Sequence, residues 1–405
     1  MPELKTAVRT NEGTDISPLM NTYNRWPISI VKGKGSYVWD DEGTKYLDFT
    51  SGIAVCNLGH APEEVKKEVS VQLDKLWHCS NLYKIPIQEK LAKVLTENSF
   101  ADRVFFCNSG AEANEAAIKL ARKYAHEVKK AEKVEIVTFE QSFHGRTMAS
   151  LSATGQPKLH EGFEPLVEGF HYLPYNDLDS LKEIDFLSPC AVMLELVQGE
   201  GGVVPADKEW VKQLAAICKE NNILIMVDEV QTGIGRTGTL FAYEQYEIQP
   251  DVITLAKGLG SGFPIGAVLA KEEAAKVFGP GSHGSTFGGN PIASSAGYAT
   301  VSHILNENIL FTARSISAQL TESLNGLKEK YPVIEEVRGK GLLLGLLIPG
   351  KAADIITAAR KEKVLILPAG QDVVRILPPL TATKEEIETF ITILDSVFEK
   401  LYTVS

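Results

Sequence analysis

With 405 residues, 44% of them hydrophobic and 23% charged, the chain has the composition of an ordinary globular protein. That length exceeds what one core usually organises, so two domains are expected. A net charge of −11 argues against nucleic acid or an anionic membrane surface as the main partner, while leaving small anionic substrates open.

In chain order, residues 35–49 read as a hairpin of two aromatic-rich strands around an Asp-Glu-Gly turn. Helices are expected over 62–76 and 87–96. From 104 to 269 short apolar runs, at 103–106, 134–138, 191–194, 223–227, 252–255 and 265–270, alternate with helical patterns. Such alternation predicts an α/β fold with a mostly parallel sheet between helices. A helical pattern fills 290–330. Strands follow at 333–347, 364–367 and 373–377, then a helix near 384–401. The expected division is a large domain over 51–310 and a smaller α+β domain over 311–405, to which residues 1–50 contribute. Cys56, Cys79, Cys107, Cys190 and Cys218 form no Cys-x-x-Cys pair and no zinc-ligand spacing, which suits a reducing compartment. Residues 1–15 lack the apolar stretch of a signal peptide, and the longest apolar run, 342–348, is too short to span a bilayer, so a cytosolic protein is expected.

The chemistry concentrates where strands end. Lys257 closes the apolar run 251–256 and opens the glycine-rich 258–262, where a primary amine of lowered pKa can attack a carbonyl. Asp228 and Glu229 end the run 223–227 in the same way. Either could cap the next turn, but a lysine and an aspartate so placed are also what a pyridoxal phosphate enzyme needs for its imine and its pyridinium nitrogen. Gln231 adds a neutral donor for a phenolate oxygen. Ser109 and Glu112 have capping-box spacing at the start of an alanine-rich helix, and the same turn, through Ser109, Gly110 and Ala111, could cradle a phosphate. After the next strand, Phe143 or His144 could cover a planar ring, and Arg146 could grip a carboxylate.

Glu195 and Glu200 follow a further strand, with a solvated loop acid as the default for each. In the small-residue stretch 281–291, Ser285 or Thr286 could donate to a phosphate oxygen. Arg375 is a charge inside the apolar run 373–377 and therefore needs a partner. The glycines of 258–262 lack the order of a dinucleotide fingerprint, and 338–341 lacks Walker spacing. Eight histidines form no metal cluster in the sequence, and no metal is expected.

Six segments in order, Ser109-Gly-Ala-Glu-Ala-Asn114, Phe143-His-Gly-Arg-Thr147, Gln198-Gly-Glu-Gly-Gly202, Asp228-Glu-Val-Gln-Thr-Gly233, Leu255-Ala-Lys-Gly258 and Ser285-Thr-Phe-Gly-Gly-Asn-Pro291, resemble the class III (ω-amino acid) aminotransferases of the fold-type-I pyridoxal phosphate superfamily. The resemblance runs from about Pro18 to the C-terminus. It implies that Lys257 is the Schiff-base lysine, that Asp228 pairs with the ring nitrogen beside Glu229, and that Gln231 lies near the phenolic oxygen. Val230 and Phe143, with His144 alongside, would flank the ring. Ser109, Gly110 and Ala111 would hold the phosphate, joined by Thr286 from a second subunit, so a homodimer with shared active sites is implied.

For substrates, the resemblance assigns Arg146 to the carboxylate remote from the reacting amine and puts Ser285 near the donor. Glu200 would mask Arg375 while the donor reacts and release it for 2-oxoglutarate. The donor expected is acetylornithine, because Ile53 stands where ornithine-specific relatives carry a tyrosine. Alternatives are ornithine, succinyl-diaminopimelate or 4-aminobutyrate, or an aminomutase reaction. Outside enzymes the chain could be a pyridoxal phosphate carrier or a nucleotide-binding module. The intact Lys257 and Asp228 argue against the first, and the poor fingerprint against the second.

Overall fold

The computed structural model describes residues 17–131 and 133–402. The expectation of no signal sequence in residues 1–15 falls outside them. Among the described residues no helix is long and apolar enough to cross a membrane, and no group of His, Cys, Asp or Glu side chains could hold a metal ion.

The centre is a seven-stranded sheet in the order Arg103–Cys107, Gly266–Ala270, Val252–Leu255, Leu224–Asp228, Ala191–Leu194, Ile136–Phe139, Phe170–Leu173. Its inner strands are buried on both faces, so they read in the sequence as unbroken apolar runs without alternation. The sheet is mostly parallel, as expected, with one departure. Gly266–Ala270 runs antiparallel to both neighbours. The apolar run alone carries no direction, so this reversal had no signal in the sequence. Phe170–Leu173, a half-exposed edge strand that the apolar runs did not mark, pairs parallel with Ile136–Phe139.

Helices cover the sheet. Gly110–Tyr124 starts at Ser109, whose hydroxyl accepts from the Glu112 amide at 3.2 Å, and its alanines let it lie close on the strands. Lys208–Glu220 is capped by Asp207, which accepts from the Trp210 amide at 2.9 Å. Trp210 is fully buried, with ring centroids 4.8 Å from Phe139 and 5.0 Å from Tyr175 in edge-to-face contacts. The helical pattern of 290–330 divides into Pro291–Asn306 and Ile309–Lys330, broken where Asn308 turns left-handed at φ 52°.

Among the described residues, two four-stranded sheets and a two-stranded pairing of Val197–Gln198 with Val204–Pro205 accompany the large one. Ile30–Lys34, Tyr37–Asp40 and Lys45–Asp48 form an antiparallel meander, which Val364–Leu365 joins in parallel, so the two ends of the chain share a sheet. An antiparallel sheet holds Glu336–Lys340, Leu343–Leu347, Val373–Ile376 and Leu367–Ala369, with Arg375 on a strand paired on both sides. The expected strand 364–367 is thus split between the two sheets.

Trp210→Ala is expected to lower stability by about 3–5 kcal/mol through the cavity it leaves, with Trp210→Phe recovering much of the loss. The midpoint of denaturant unfolding of the holoenzyme reads this, and an unchanged midpoint for the alanine variant would remove Trp210 from the core.

Candidate active site

Parallel strands release their next residues at one edge of the sheet, the edge where open α/β folds bind ligands. Here that edge opens on a cavity of about 440 Å³ lined by Ser109, Gly110 and Ala111, by Phe143, His144 and Arg146, and by Asp228, Val230, Gln231 and Lys257. Ten residues singled out in the sequence across a span of 148 positions therefore face one space.

Asp228, the last residue of its strand, is 4% exposed. Its Oδ1 accepts from the Val230 amide at 3.0 Å, and Oδ2 accepts from Asn114 Nδ2 at 2.8 Å and lies 2.8 Å from Nδ1 of His144. The imidazole is fully buried. Burial is the largest influence and works against its charge, but the hydrogen bond to Asp228 and the charges of Asp228 and Glu195 together raise its pKa. Asn114 also donates to the His144 carbonyl at 2.7 Å, locking ring and carboxylate together. The result is a fixed carboxylate at the wall of a buried cavity, suited to a cationic ring N–H.

Lys257 follows its strand by two residues and holds a left-handed φ of 41°. Among the described residues nothing accepts a hydrogen bond from its amine in the way the surface lysines are paired. Burial lowers its pKa, with Glu200 and Asp228 working the other way. A lysine made more readily neutral and left free of partners is prepared to act as a nucleophile.

The Ser109 turn satisfies both readings at once. The Ser109 cap is formed, and Glu112 Oε2 reaches past it to accept from the Asn108 amide at 2.8 Å. The first-turn amides of Gly110 and Ala111, without intrahelical acceptors, face the cavity and can receive an anion. A Cβ at Gly110 would lie 2.7 Å from Val230 Cγ1, so glycine lets the phosphate-binding turn and the ring-facing valine coexist. On another wall, Arg146 is exposed and its guanidinium stands 5.6 Å from the Phe143 ring centroid.

Arg375 is 2% exposed and lies behind Gln231. Its Nη1 donates to Glu200 Oε1 at 2.5 Å and to Gln231 Oε1 at 3.0 Å, and its Nη2 donates to Glu200 Oε2 at 3.1 Å. Backbone carbonyls of Gly199 and Pro368 accept at 3.2 and 3.3 Å. Burial would raise the Glu200 carboxyl, but Arg375 reverses this and holds it below its ordinary value. The partner that Arg375 required is therefore Glu200, which sits in a turn with its charge engaged.

Glu229, Ser285 and Thr286, like Glu200 and Arg375, are not on the cavity wall of their own chain. Glu229, paired in the sequence reading with Asp228, points to the opposite side of the sheet, where its carboxylate accepts from Thr232 Oγ1 at 2.6 Å and the Tyr243 amide at 2.9 Å. The period of two along a strand turns consecutive residues apart, and burial pushes Glu229 up to about 7 in that structural setting. Ser285 and Thr286 do not line this cavity. Ser285 Oγ accepts from Asn108 Nδ2 at 3.1 Å, while Thr286 is exposed.

Conversely, Asn114, Val55 and Glu195 line the cavity without having been assigned a role. Asn114 falls within a quoted motif. Glu195 ends a strand as Asp228 does, and that parallel was the available signal.

A cavity walled by a free lysine, a buried carboxylate and a helix N-terminus, at this edge of this sheet, fits pyridoxal 5′-phosphate and defines an enzyme of fold type I in that cofactor's superfamily. The chain belongs to the class-III aminotransferases, whose family model matches residues 19–398. An acetylornithine aminotransferase from Oceanobacillus iheyensis is 59% identical over 381 residues, covering 94% of this chain and 96% of that one. Among solved structures, the ornithine aminotransferase of Toxoplasma gondii superposes with a TM-score of 0.91 at 32% identity, covering 95% of this chain and 93% of that one. A second structure of that enzyme is described with pyridoxal phosphate at partial occupancy in its active site. N-acetylornithine aminotransferase from Stenotrophomonas maltophilia gives a TM-score of 0.82 at 36% identity, covering 94% and 97%. Like its family, this chain is a pyridoxal phosphate-dependent aminotransferase acting on an amino donor and an oxo acid.

Gly110→Ala is expected to weaken cofactor binding by about tenfold, because the added methyl must displace Val230. Val230→Ala in the same chain should restore most of it. Cofactor titration of the apoenzyme measures both, and an additive loss in the double variant would show that the two residues do not compete for the same space.

Proposed function

We propose that this chain transfers the δ-amino group of N2-acetylornithine to 2-oxoglutarate, giving N-acetylglutamate 5-semialdehyde and glutamate, as a step of arginine biosynthesis. The observation that carries this is the bidentate Glu200–Arg375 pair beside Gln231 at the edge of the cavity. An ω-amino donor brings no carboxylate next to its reacting amine, so Arg375 must be neutralised by the protein. 2-Oxoglutarate brings one, and a carboxylate of equal charge can take the place of Glu200.

The bound cofactor supplies a carbonyl carbon to receive the amino group and a cationic ring to draw electrons from the reacting carbon. In this reading Lys257 provides the amine that holds the cofactor, and later the base that carries a proton between the two reacting carbons. Asp228, fixed by His144 and Asn114, keeps the ring N–H charged. Ser109, Gly110 and Ala111 hold the phosphate, while Phe143 and Val230 bound the two ring faces. Gln231 turns toward the phenolic oxygen, and Arg146 takes the distal carboxylate of donor and acceptor alike.

We read the active unit as a homodimer, with Thr286 reaching the phosphate of a second copy and Ser285 its donor. Supporting this, Trp77, Leu82, Tyr83 and Phe287 are 63, 90, 69 and 60% exposed. Asn81, beside Leu82, donates to the carbonyls of Ser285 and Gly288 at 3.1 and 2.9 Å, so this apolar surface is continuous with the loop that carries Thr286. We also read residues 51–310 as the large domain, with 311–405 and the N-terminal 1–50 forming the smaller one, and the cytosol as its compartment.

Acetylornithine is preferred over ornithine on the residue Ile53, half-exposed at 42% near the cavity, which offers no polar contact to a free α-amine. The 59% identity to an enzyme named for acetylornithine supports the same choice. Ornithine is the second reading, favoured by the overall shape shared with the Toxoplasma enzyme.

On the purified holoenzyme, kcat/KM with 2-oxoglutarate is expected to be at least about tenfold higher for acetylornithine than for ornithine or 4-aminobutyrate. A higher value for ornithine would overturn the donor assignment. Lys257→Ala should lose at least about 10²-fold in turnover while keeping its fold, since a positioned acid–base group alone contributes that much.

A further inference from the structure

Two carboxyl groups end neighbouring strands of the large sheet. Val227 is registered opposite Leu194 in a parallel pairing, so the next step along each strand brings Asp228 and Glu195 side by side at the same edge. Both are buried, at 4 and 5% exposure. Their bonding differs sharply. Asp228 is held by Asn114, His144 and the Val230 amide, whereas Glu195 has one protein donor, the Phe143 amide at 3.0 Å to Oε2. Among the described residues nothing donates to its Oε1, and the residue lines the cavity.

The charged and titratable groups that face Glu195 are His144 on the loop after Ile136–Phe139, Asp228 on the adjacent strand and Lys257 beyond Val252–Leu255. Tyr175, half-buried, donates its hydroxyl to the Glu195 backbone carbonyl at 2.8 Å. Burial pushes the Glu195 carboxyl up to about 7, with the imidazole of His144 pulling the other way and the Asp228 carboxylate adding to the rise. Of the two acids, Asp228 is the better bonded, and Glu195 is the one that burial lifts toward neutrality.

We propose that Glu195 is a positioning residue of this site, whose carboxylate anchors Phe143 through its backbone amide and whose negative charge holds a proton on the linkage between Lys257 and the cofactor. It rests on the reading of the cavity as the pyridoxal phosphate site and extends it to a residue expected from sequence to be a solvated loop acid. Phe143 and His144 are the ring side chains that this loop presents to the cavity, and the main chain of Phe143 is tied to the sheet edge by Glu195. A negative charge near the Lys257 nitrogen favours the protonated form of that nitrogen, and protonation makes the attached carbon more electrophilic.

The test uses two substitutions and two readouts. In the holoenzyme, the pH titration of the cofactor absorption band of Glu195→Gln is expected to shift its midpoint down by about one pH unit, because the amide keeps the acceptor for Phe143 but loses the charge. In the apoenzyme, the same variant should bind pyridoxal phosphate within about threefold of wild type, whereas Glu195→Ala should bind about tenfold more weakly with Phe143 released. A Glu195→Gln midpoint matching wild type overturns the electrostatic part, and wild-type affinity in Glu195→Ala overturns the anchoring part. If the alanine variant does not fold, the glutamine variant alone decides, since a merely structural Glu195 would leave its titration midpoint in place. A wild-type protein with no cofactor band would instead overturn the reading of the cavity.

Discussion

A guanidinium with 2% exposure cannot be left without partners, and that constraint on Arg375 organises the molecule around the cavity. Removing one member of a buried pair costs about 3–5 kcal/mol. The partners come from three separate stretches of chain: Gly199 and Glu200 after a strand of the large sheet, Gln231 after the neighbouring strand, and Pro368 from its own sheet. The antiparallel C-terminal sheet is thereby held against the edge of the parallel one. Glycine is needed at 199, where a Cβ would fall 2.4 Å from Gln231 Oε1 and push the amide off the guanidinium. Because Glu200 is one carboxylate among the acceptors, a substrate carboxylate can substitute for it without leaving the cation bare.

The same edge concentrates several buried or half-buried ionisable groups: Asp228, His144, Glu195, Lys257, Glu200 and Arg375. Close-packed strands bring them within each other's fields, where effective dielectric is low and pKa values move. Their shifts run in the directions transamination needs. Burial lowers the Lys257 pKa, Arg375 lowers that of Glu200, and Asp228 raises that of His144 against burial. Arg236 offers a contrast, since it too is fully buried but is bound by the carbonyls of Leu342 and Pro378 and by Asn57 Oδ1 at 2.7 Å, without a carboxylate. That arginine ties loops together, and burial lowers it to about 9.

Much of this was legible in the sequence because the chemistry sits at strand ends. Apolar runs located the inner strands, and the polar residues immediately after them, Asp228, Lys257 and Phe143–Arg146, proved to face one space. What escaped was information a linear pattern does not hold. The direction of Gly266–Ala270 and the sheet exchange of Val364–Leu365 depend on pairing at long range. Glu195 read as solvated because acids usually are, yet its register with Asp228 buries it. Glu229 read with Asp228 as one acidic pair, although the strand's period sends their side chains to opposite faces. Ser285 and Thr286 lie outside the cavity of their own chain, a placement in keeping with the expectation that Thr286 serves a second subunit.

Single-turnover kinetics of Arg375→Ala test the proposed exchange of Arg375 between Glu200 and the substrate carboxylate. Mixing the cofactor-loaded variant with acetylornithine, and the amine form of the variant with 2-oxoglutarate, separates the two half-reactions through the cofactor absorbance. The account predicts that the donor half stays within about threefold of wild type while the oxo-acid half slows by at least about 10²-fold, as expected for loss of a buried charge-assisted pair. Equal slowing of both halves would contradict it and would make Arg375 a purely structural partner of Glu200.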